Sequence, residues 1–239
     1  MIQYQGVHKG FGSKKVLQGV DLDIQKGEVM VVLGGSGSGK SVLTSMLVGL
    51  LFPDKGQIRL GAKLLPAAGD AAGWREVWTK VGYLFQGGAL FDSMTVFANV
   101  AFPLRHNLSL SAAEVEQRVM RLLEILGVAD ARDKYPAEIS GGMQKRVALA
   151  RSIALEPEVI VYDEPTTGLD PLTTGTVGQL ILDMKQRFAV TSVVVSHDIK
   201  LTRMIADNLA FLQDGRIIFH GPLEQLAQAP DVLQRFFAV

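Results

Sequence analysis

The chain has 239 residues, of which 48% are hydrophobic, and its 24 Lys and Arg balance its 24 Asp and Glu. This hydrophobic fraction supports a large folded core, whereas the zero net charge argues against a general nucleic-acid binder. Cysteine is absent, which excludes disulfides and thiol catalysis, and neither a signal pattern nor an apolar run of roughly 18 residues occurs. Doubly wound α/β domains often reach this length as a single unit, and we expect the protein to be soluble and cytoplasmic.

The first third of the chain carries mainly strand patterns. Residues 1–27 favour antiparallel strands, because apolar and polar side chains alternate at 16–24. The apolar stretch 28–33 predicts a buried strand, and 42–50 predicts a helix. Two further strands are expected at 57–64 and 80–85, with a surface loop rich in alanine and glycine at 65–73.

The segment from Gly34 to Ser41, with the sequence GGSGSGKS, lies between that buried strand and that helix. Its glycines allow the backbone to curl so that successive N–H groups face phosphate oxygens, and the helix N-terminus adds partial positive charge. Lys40 can then reach the β- and γ-phosphates, while the Ser41 hydroxyl can bind Mg²⁺. A simple glycine-rich turn is the alternative, but every fixed position of the motif is filled, so we predict a nucleoside triphosphate site. The predicted contacts are Gly34, Gly35, Ser36, Gly37, Ser38, Gly39, Lys40, Ser41 and Val42.

The middle of the chain carries helix patterns. The segment SAAE at 111–114 is a capping box, and the apolar spacing that follows it predicts a helix. A second helix is expected at 140–154. Because strand patterns are missing from this part of the chain, we predict a helical subdomain at 88–156, inserted into a core formed by 1–87 and 157–239.

Strand patterns resume in the last third of the chain. Two strands, at 209–212 and 217–220, flank Asp214 and Gly215, a pair that is typical of hairpin turns. The remaining expected elements are a strand at 158–162, a helix at 171–188 and a strand at 190–195.

Two carboxylates follow the predicted strand at 158–162. In an open parallel sheet, ligands bind at the carboxyl ends of the strands, so Asp163 is expected near the phosphate loop, where it can help to hold Mg²⁺ through water. Glu164 would then face the γ-phosphate and act as the general base for the attacking water. A solvated strand end explains two carboxylates equally well on its own, and the phosphate loop is what favours the functional interpretation.

His197 and Gln86 also follow predicted strands. An imidazole at His197 would lie near the same γ-phosphate, whereas we interpret His8, His106 and His220 as structural or exposed. The amide of Gln86 could contact Mg²⁺ or the attacking water, although glutamine after a strand indicates little by itself. The predicted catalytic residues are Lys40, Gln86, Glu164 and His197, and the predicted metal ligands are Ser41, Gln86 and Asp163.

The segment 139–146, with the sequence ISGGMQKR, is the most discriminating motif. Ser140 at a helix N-cap, followed by Gly141 and Gly142, offers a hydroxyl, bare backbone N–H groups and a helix dipole, which together form an anion site. The chain's own phosphate loop does not need a second anion site, so we expect this one to cover a nucleotide held by another copy of the chain. In isolation, an ordinary helix cap would be the better explanation.

The order of these motifs resembles that of ATP-binding cassette (ABC) ATPases over essentially the whole chain. The resemblance implies an α/β fold of the P-loop NTPase class: an ABC ATPase core with an antiparallel β subdomain and an inserted helical subdomain. It also implies ATP and Mg²⁺ as cofactors and a head-to-tail homodimer, with each nucleotide between one copy's phosphate loop and the other copy's Ser-Gly-Gly segment. Phe11 matches an aromatic residue that stacks on adenine, although it could equally belong to the core, and Asp170 matches a residue that touches the facing subunit.

A narrower resemblance, to the ATPases of Mla-type, MCE-associated phospholipid transporters, rests on segment 85–104 and on Met143, where the wider family usually has Gln. It implies phospholipid transport for outer-membrane lipid asymmetry, powered by ATP-driven dimer closure at the cytoplasmic face of the inner membrane. The implied partners are an integral membrane permease, an MCE-domain lipid-binding protein and, as a further candidate, a small accessory subunit. We expect the permease to dock on the apolar segment from Ala89 to Leu104, about half of which subdomain packing could explain.

Other functions share these catalytic motifs. Amino-acid, metal and drug transporters of the family use the same residues, so only segment 85–104 and Met143 favour a lipid. Family members that act on DNA or ribosomes usually carry coiled-coil or zinc insertions, or two cassettes, and none is visible here. The zero net charge also argues against nucleic acid as a partner.

Overall fold

The computed structural model describes residues 1–168 and 171–238, and the side chains of these residues outside 171–173. In chain order, the elements are β1 (Ile2–Phe11), β2 (Lys14–Ile24), β3 (Val29–Leu33), α1 (Lys40–Ser45), β4 (Lys55–Leu60), β5 (Lys63–Leu64), α2 (Ala71–Lys80), β6 (Val81–Leu84), α3 (Val96–Asn107), α4 (Ala112–Ile125), α5 (Gly141–Ile153), β7 (Val159–Asp163), α6 (Pro171–Phe188), β8 (Thr191–Val195), α7 (Ile199–Ile205), β9 (Asn208–Gln213), β10 (Arg216–Pro222) and α8 (Asp231–Ala238). Short 3-10 helices occupy Met46–Val48, Ala129–Ala131, Pro136–Glu138 and Leu223–Gln228. Within the described ranges, none of the helices combines the length and hydropathy that a bilayer crossing demands.

The strands form two sheets. One is antiparallel, with the strand order β2-β1-β4-β5, and the other has the order β10-β9-β3-β8-β7-β6. In the second sheet, β9, β3, β8, β7 and β6 run parallel, while β10 pairs antiparallel with β9 at one edge. A hydrogen bond from Gln18 N to the Gly215 carbonyl oxygen (2.8 Å) joins the two sheets. This architecture confirms the predicted α/β class and the antiparallel strands at the start of the chain.

The central strand β3 is buried on both faces. Val29, Val31 and Leu33 belong to a core that includes side chains of α3, α4, α5 and α6, whereas Met30 and Val32 belong to a second core under the antiparallel sheet. Because alternate side chains of a strand point to opposite faces, burial on both faces requires an uninterrupted apolar run. Strands β7 and β8 are buried throughout for the same reason, and the parallel pairing brings the carboxyl ends of all three strands to one edge of the sheet.

Helices fill the stretch between residues 88 and 156, all of which is described and contains no strand. Helices α3, α4 and α5 pack together through a shared apolar core. The predicted capping box is present at the start of α4, where Ser111 Oγ accepts a hydrogen bond from Glu114 N (3.3 Å) and Glu114 Oε2 accepts one from Ser111 N (2.7 Å). Helix α3 is not predicted by the sequence patterns, since Pro103 lies inside it. The limits of an inserted subdomain at 88–156 stay a prediction.

Several segments differ from the expectation. The stretch 57–64 is two strands rather than one, because Gly61 adopts φ +61° between β4 and β5. The loop expected at 65–73 ends early, since Asp70 caps α2 by accepting a hydrogen bond from Gly73 N (2.9 Å). The helix after the phosphate loop is α-helical only to Ser45 and continues as a 3-10 turn. Helices α7 and α8 have no counterpart among the predicted elements.

Candidate functional site

The phosphate loop, residues 34–41, joins β3 to α1 and lies against two other strands. Gly34 has φ +156°, and a Cβ atom there would overlap the Leu212 carbonyl oxygen on β9. Gly39 has φ +108°, and its Cβ would come within 3.0 Å of the Val16 and Leu17 side chains on β2. Only glycine combines such backbone angles with neighbours this close. The geometry of the loop therefore requires glycine at these positions.

Lys40 is buried against the loop that precedes it. Its Nζ donates hydrogen bonds to the carbonyl oxygens of Gly34 (2.9 Å) and Gly35 (3.0 Å), which leaves one of the three ammonium donors for a ligand. Burial lowers the pKa of Lys40, and the carboxylates at the end of β7 partly offset that decrease. The hydroxyl of Ser38 is also buried and has no hydrogen-bond partner within the described residues. Two polar groups at the loop are thus available to a polar ligand.

Ser41 and Asp163 bring two oxygen atoms side by side where α1 meets the end of β7. Ser41 Oγ donates a hydrogen bond to Asp163 Oδ1 (3.0 Å), and Tyr83 OH donates one to Asp163 Oδ2 (3.1 Å). The hydroxyl of Thr44 lies 3.2 Å from Tyr83 OH. Burial raises the pKa of Tyr83 to about 12, so the phenol stays protonated and remains a donor near neutral pH. The carboxylate of Asp163 is therefore oriented from both sides.

This set of donors fits Mg²⁺. The ion prefers oxygen ligands and is commonly bound by one or two carboxylates together with substrate phosphates and water. The described residues contain no cluster of three or more His, Cys, Asp or Glu side chains that could hold a metal alone. Gln86, the third predicted ligand, is exposed and forms no hydrogen bond with any described residue. Its role stays a prediction.

Glu164 and His197 are in direct contact. The Glu164 Oε2 atom lies 2.8 Å from His197 Nδ1 and also accepts a hydrogen bond from Thr167 Oγ1 (3.3 Å). Glu164 has φ +51°, an uncommon angle for a residue other than glycine, and its N–H donates to the Val195 carbonyl oxygen on β8 (2.9 Å). Its side chain is 12% exposed, whereas that of His197 is 63% exposed. The carboxylate is thus held in a fixed direction beside an accessible imidazole.

Two contacts at the loop after β7 were not expected from the sequence. Lys145 on α5 donates hydrogen bonds from Nζ to the carbonyl oxygens of Pro165 (2.7 Å) and Thr167 (3.2 Å), and burial lowers its pKa. Thr166 Oγ1 donates a weaker one to Asp198 Oδ2 (3.3 Å). Nothing in the sequence pattern connects Lys145 with the carbonyl oxygens after β7, or Tyr83 with the Asp163 carboxylate, because each contact joins separate elements of the fold.

The serine of the ISGGMQKR motif begins α5 as predicted. Ser140 Oγ accepts a hydrogen bond from Met143 N (3.3 Å), and the residue is exposed. A Cβ atom at Gly141 would meet no described atom within 4 Å. Packing within the chain therefore gives no reason for glycine there, whereas close approach of an external ligand would give one. The Met143 side chain is half-buried and packs against the core shared by the helices.

Phe11 and Asp170 are the remaining predicted site residues. The ring of Phe11, at the end of β1, is 47% exposed, which excludes the alternative that it belongs to the core. The ammonium group of Lys9 lies 5.5 Å from its centroid. Asp170 lies outside the described residues.

Comparisons with known proteins agree with this arrangement of motifs. Residues 17–167 match the family described as "ABC transporter". The "Probable ribonucleotide transport ATP-binding protein mkl" of Mycobacterium leprae (strain TN) is 40% identical over 237 residues, which cover 99% of this chain and 68% of that protein. The "Intermembrane phospholipid transport system ATP-binding protein MlaF" of Escherichia coli (strain K12) is 39% identical over 226 residues, covering 95% of this chain and 84% of that protein.

Among solved structures, the chain is similar to the dimeric ATP-binding cassette MJ0796 in a post-hydrolysis state with ADP and Pi bound. The TM-score is 0.85 at 30% identity, and the superposition covers 93% of this chain and 99% of that one. This similarity extends to sequence as well as fold.

Proposed function

The chain belongs to the ABC transporter family and is an ATPase of that family, and from this premise we propose that it powers a phospholipid transporter as a homodimer. The observation that carries the catalytic part of the proposal is a pair of contacts at one sheet edge. Ser41 Oγ lies 3.0 Å from Asp163 Oδ1, and Glu164 Oε2 lies 2.8 Å from His197 Nδ1. The first pair suits a metal-bound phosphate and the second suits activation of water.

ATP binding is assigned to the phosphate loop and its surroundings. The third donor of Lys40, the unpaired hydroxyl of Ser38 and the loop N–H groups would bind the phosphates. The exposed ring of Phe11 would stack on adenine. Mg²⁺ held by Ser41 and Asp163, with Gln86 as a further candidate ligand, would neutralise charge on the phosphate oxygens.

Hydrolysis is assigned to Glu164 as the general base. Its carboxylate would take a proton from the attacking water, and the hydrogen bond to His197 would hold that carboxylate toward the phosphate. The left-handed backbone at Glu164, fixed by its N–H bond to Val195, turns the side chain away from the strand direction. Such strain at a residue with a polar side chain is typical of functional sites.

The exposed start of α5 supports the proposed homodimer. Ser140, Gly141 and Gly142 of one subunit would bind the nucleotide held by the phosphate loop of the other, and Asp170 would lie between the two subunits. ATP would then contribute binding energy to both faces and shift the population toward a closed dimer. Removal of the γ-phosphate would let the faces separate. The dimeric state of MJ0796 supports this assembly.

Permease docking is assigned to the exposed part of the segment from Ala89 to Leu104. Much of that segment is core, since Val96, Val100 and Leu104 on α3 are fully buried. The Phe91 side chain, by contrast, is 40% exposed, and its ring packs against that of Phe102 with centroids 4.9 Å apart. An exposed Phe91 ring, supported by the half-buried ring of Phe102, suits contact with a cytoplasmic helix of a permease.

The transported substrate is proposed from the relatives. MlaF is named for intermembrane phospholipid transport, and mkl for ribonucleotide transport, so a nucleotide is the second candidate. Segment 85–104 and Met143 favour the lipid. With phospholipid as substrate, the chain would sit peripherally at the cytoplasmic face of the inner membrane, with an integral permease, an MCE-domain protein and a small accessory subunit as partners and without nucleic acid.

The experiment is affinity purification of the whole chain from mild-detergent membranes of the source cell, with mass spectrometry of retained proteins and lipids. Co-purification of a permease, an MCE-domain protein and phospholipid is expected. Co-purification of a different permease together with a nucleotide would refute phospholipid as the transported substrate. Recovery of ribosomal proteins or DNA would refute the transport function.

A matched pair of variants tests the docking surface in the same experiment. Phe91→Asp should lose the permease while it keeps ATP binding. Ile218→Asp, which alters an exposed apolar residue on edge strand β10, should retain both. Equal recovery of the permease with both variants would refute docking at Phe91.

A further inference from the structure

A second pocket, separate from the phosphate loop, lies between α4, the end of α5 and the end of α6, with a volume of about 460 Å³. We call it the arginine pocket, because Arg118 and Arg121 on α4 and Arg187 on α6 line it. Its size falls within the range of about 300–1,000 Å³ that is common for small-molecule sites. None of its lining residues belongs to the nucleotide site described above.

The floor of the arginine pocket is apolar. Leu122 and Ile125, on the same face of α4 as the two arginines, are half-buried, and Met184 on α6 is buried. Phe188, at the end of α6, also lines the pocket and is 41% exposed. These side chains form an apolar surface that no other part of the described chain covers completely, and an exposed aromatic residue at its edge is typical of a binding surface.

The rim carries surplus positive charge. The side chains of Arg118 and Arg121 make no hydrogen bond or ion pair within the described residues, and the charge of Arg118 reaches Glu114 only through space, where it adds to the lowering of the pKa of Glu114 by Ser111. Glu114, one turn before Arg118, is engaged by Ser111, which donates to it from both N and Oγ (2.7 Å each). Arg187 has only a long contact with Asp183, at 3.7 Å.

One carboxylate, that of Glu156, is among the lining residues. Glu156 is exposed to solvent and makes no ion pair with the three arginines. Guanidinium groups bind carboxylate and phosphate oxygens through paired N–H donors, and here they stand above an apolar floor. We propose that the arginine pocket binds a single-chain amphiphile whose headgroup is acidic, a carboxylate or a phosphate monoester.

The test uses the full chain and probes that share one alkyl chain, measured by titration calorimetry below their micelle concentrations. Dodecyl phosphate and laurate are expected to bind. Dodecyltrimethylammonium, with the opposite headgroup charge, and inorganic phosphate, with no chain, are expected to bind at least about tenfold more weakly. A preference for dodecyl phosphate or for laurate would identify which acidic headgroup the pocket selects. Equal binding of the cationic probe, or the absence of binding by either anionic probe, would overturn the proposal.

A double variant localises the binding. Arg118→Gln with Arg121→Gln should weaken dodecyl phosphate binding by at least about tenfold, whereas Arg75→Gln on the exposed side of α2 should leave it unchanged. ATP affinity should be equal in all three proteins, so failure here is distinguishable from failure of the proposed ATPase function. Unchanged amphiphile binding by the double variant would overturn the proposed site. The proposal would also be overturned if the parent chain bound no amphiphile and these arginines instead bound a partner protein. Thermal unfolding of each variant verifies that the fold is intact.

Discussion

The end of β7 and the start of α5 contribute opposite kinds of surface to the proposed nucleotide site. At β7, Asp163 is buried and bonded to two hydroxyls, and Glu164 is held by its backbone and by His197. At α5, Ser140 is exposed and Gly141 faces open space. The fold fixes Asp163 and Glu164 within one chain, and we call this end of β7 the preorganised half of the site. The start of α5, with Ser140 and Gly141, has no ligand within its own chain and is available to a second copy, and we call it the open half.

The starts of α4 and α5 extend this comparison, because both helices begin with a serine cap. At α4 the cap is closed, since Glu114 returns a hydrogen bond to the N–H of Ser111. At α5 the equivalent position is Met143, which has no acceptor for this purpose, and no described side chain bonds the N–H of Ser140. A closed cap stabilises its own helix, whereas an open cap leaves donors for an anion.

The largest expected effect concerns the preorganised half. Glu164→Gln should lower ATP turnover by on the order of 10²–10⁴ while ATP affinity is retained, because the amide cannot accept the proton of the attacking water. Turnover and ATP binding are measured on the same preparations. Glu224→Gln, at an exposed position, is the matched control. Near-normal turnover would refute the assignment of the general base.

Lys40→Ala tests the same half at the binding step. Loss of a buried ammonium group that would face the phosphates should weaken ATP binding by about 100-fold, whereas Glu164→Gln should keep its ATP affinity. Calorimetric titration with ATP measures the effect, and Lys26→Ala, which removes an exposed lysine, should bind normally. Unchanged affinity in Lys40→Ala would mean that the phosphate loop has been misinterpreted.

Ser140→Arg tests the open half. A bulky cation at this helix start should weaken ATP-induced dimerisation by roughly 30-fold or more, while ATP binding by the monomer stays intact. Light scattering with and without ATP measures the dimer. Ser109→Arg, at an exposed position before α4, should dimerise like the parent chain. A normal dimer with Ser140→Arg would remove the distinction between the two halves.

The sequence predicts the preorganised half well because its residues follow strands. Parallel strands end at one sheet edge, so Asp163, Glu164 and His197 could be grouped from the pattern alone. The orienting contact of Tyr83 could not, since Tyr83 and Asp163 are 80 residues apart and a tyrosine in a strand has many potential neighbours. Helix α3 was equally inaccessible, because a proline within it obscures the helical pattern.

Neither the sequence nor the structure defines the open half as well as the preorganised half. The serine cap of α5 is visible in the sequence, yet its function depends on a second chain, which no pattern within one chain specifies. Gln86 is exposed and without a hydrogen bond in the described residues, so its assignment still rests on its place after β6. The predicted contact residue Asp170 lies outside the described residues.

Tyr83→Phe sharpens the account of the preorganised half. The phenol hydroxyl orients Asp163, and outer residues of this kind typically change metal affinity, so we expect ATP affinity in the presence of Mg²⁺ to fall about tenfold. In EDTA the affinity should equal that of the parent chain. Tyr135→Phe, at an exposed tyrosine, is the control. An equal loss with and without Mg²⁺ would indicate a general structural defect and not a role toward the ion.

The smallest expected effect tests the closed cap, and it depends on pH. Hydrogen bonds from the side chain and backbone of Ser111 lower the pKa of Glu114 below the ordinary value of 4.5. A lowered pKa means that the ionised carboxylate stabilises the fold above 4.5, and that this contribution is lost as the pH falls through the folded-state pKa. Glu114→Gln should therefore lower the unfolding midpoint by on the order of 1 °C at neutral pH, and the difference should vanish in acid.

The control for this prediction is Glu124→Gln. Glu124 lies in the last turn of the same helix and its side chain makes no capping contact, so this variant should show no such loss. A difference for Glu114→Gln that persists in acid would mean that the carboxylate charge does not close the cap, and the contrast between α4 and α5 would then rest on packing alone.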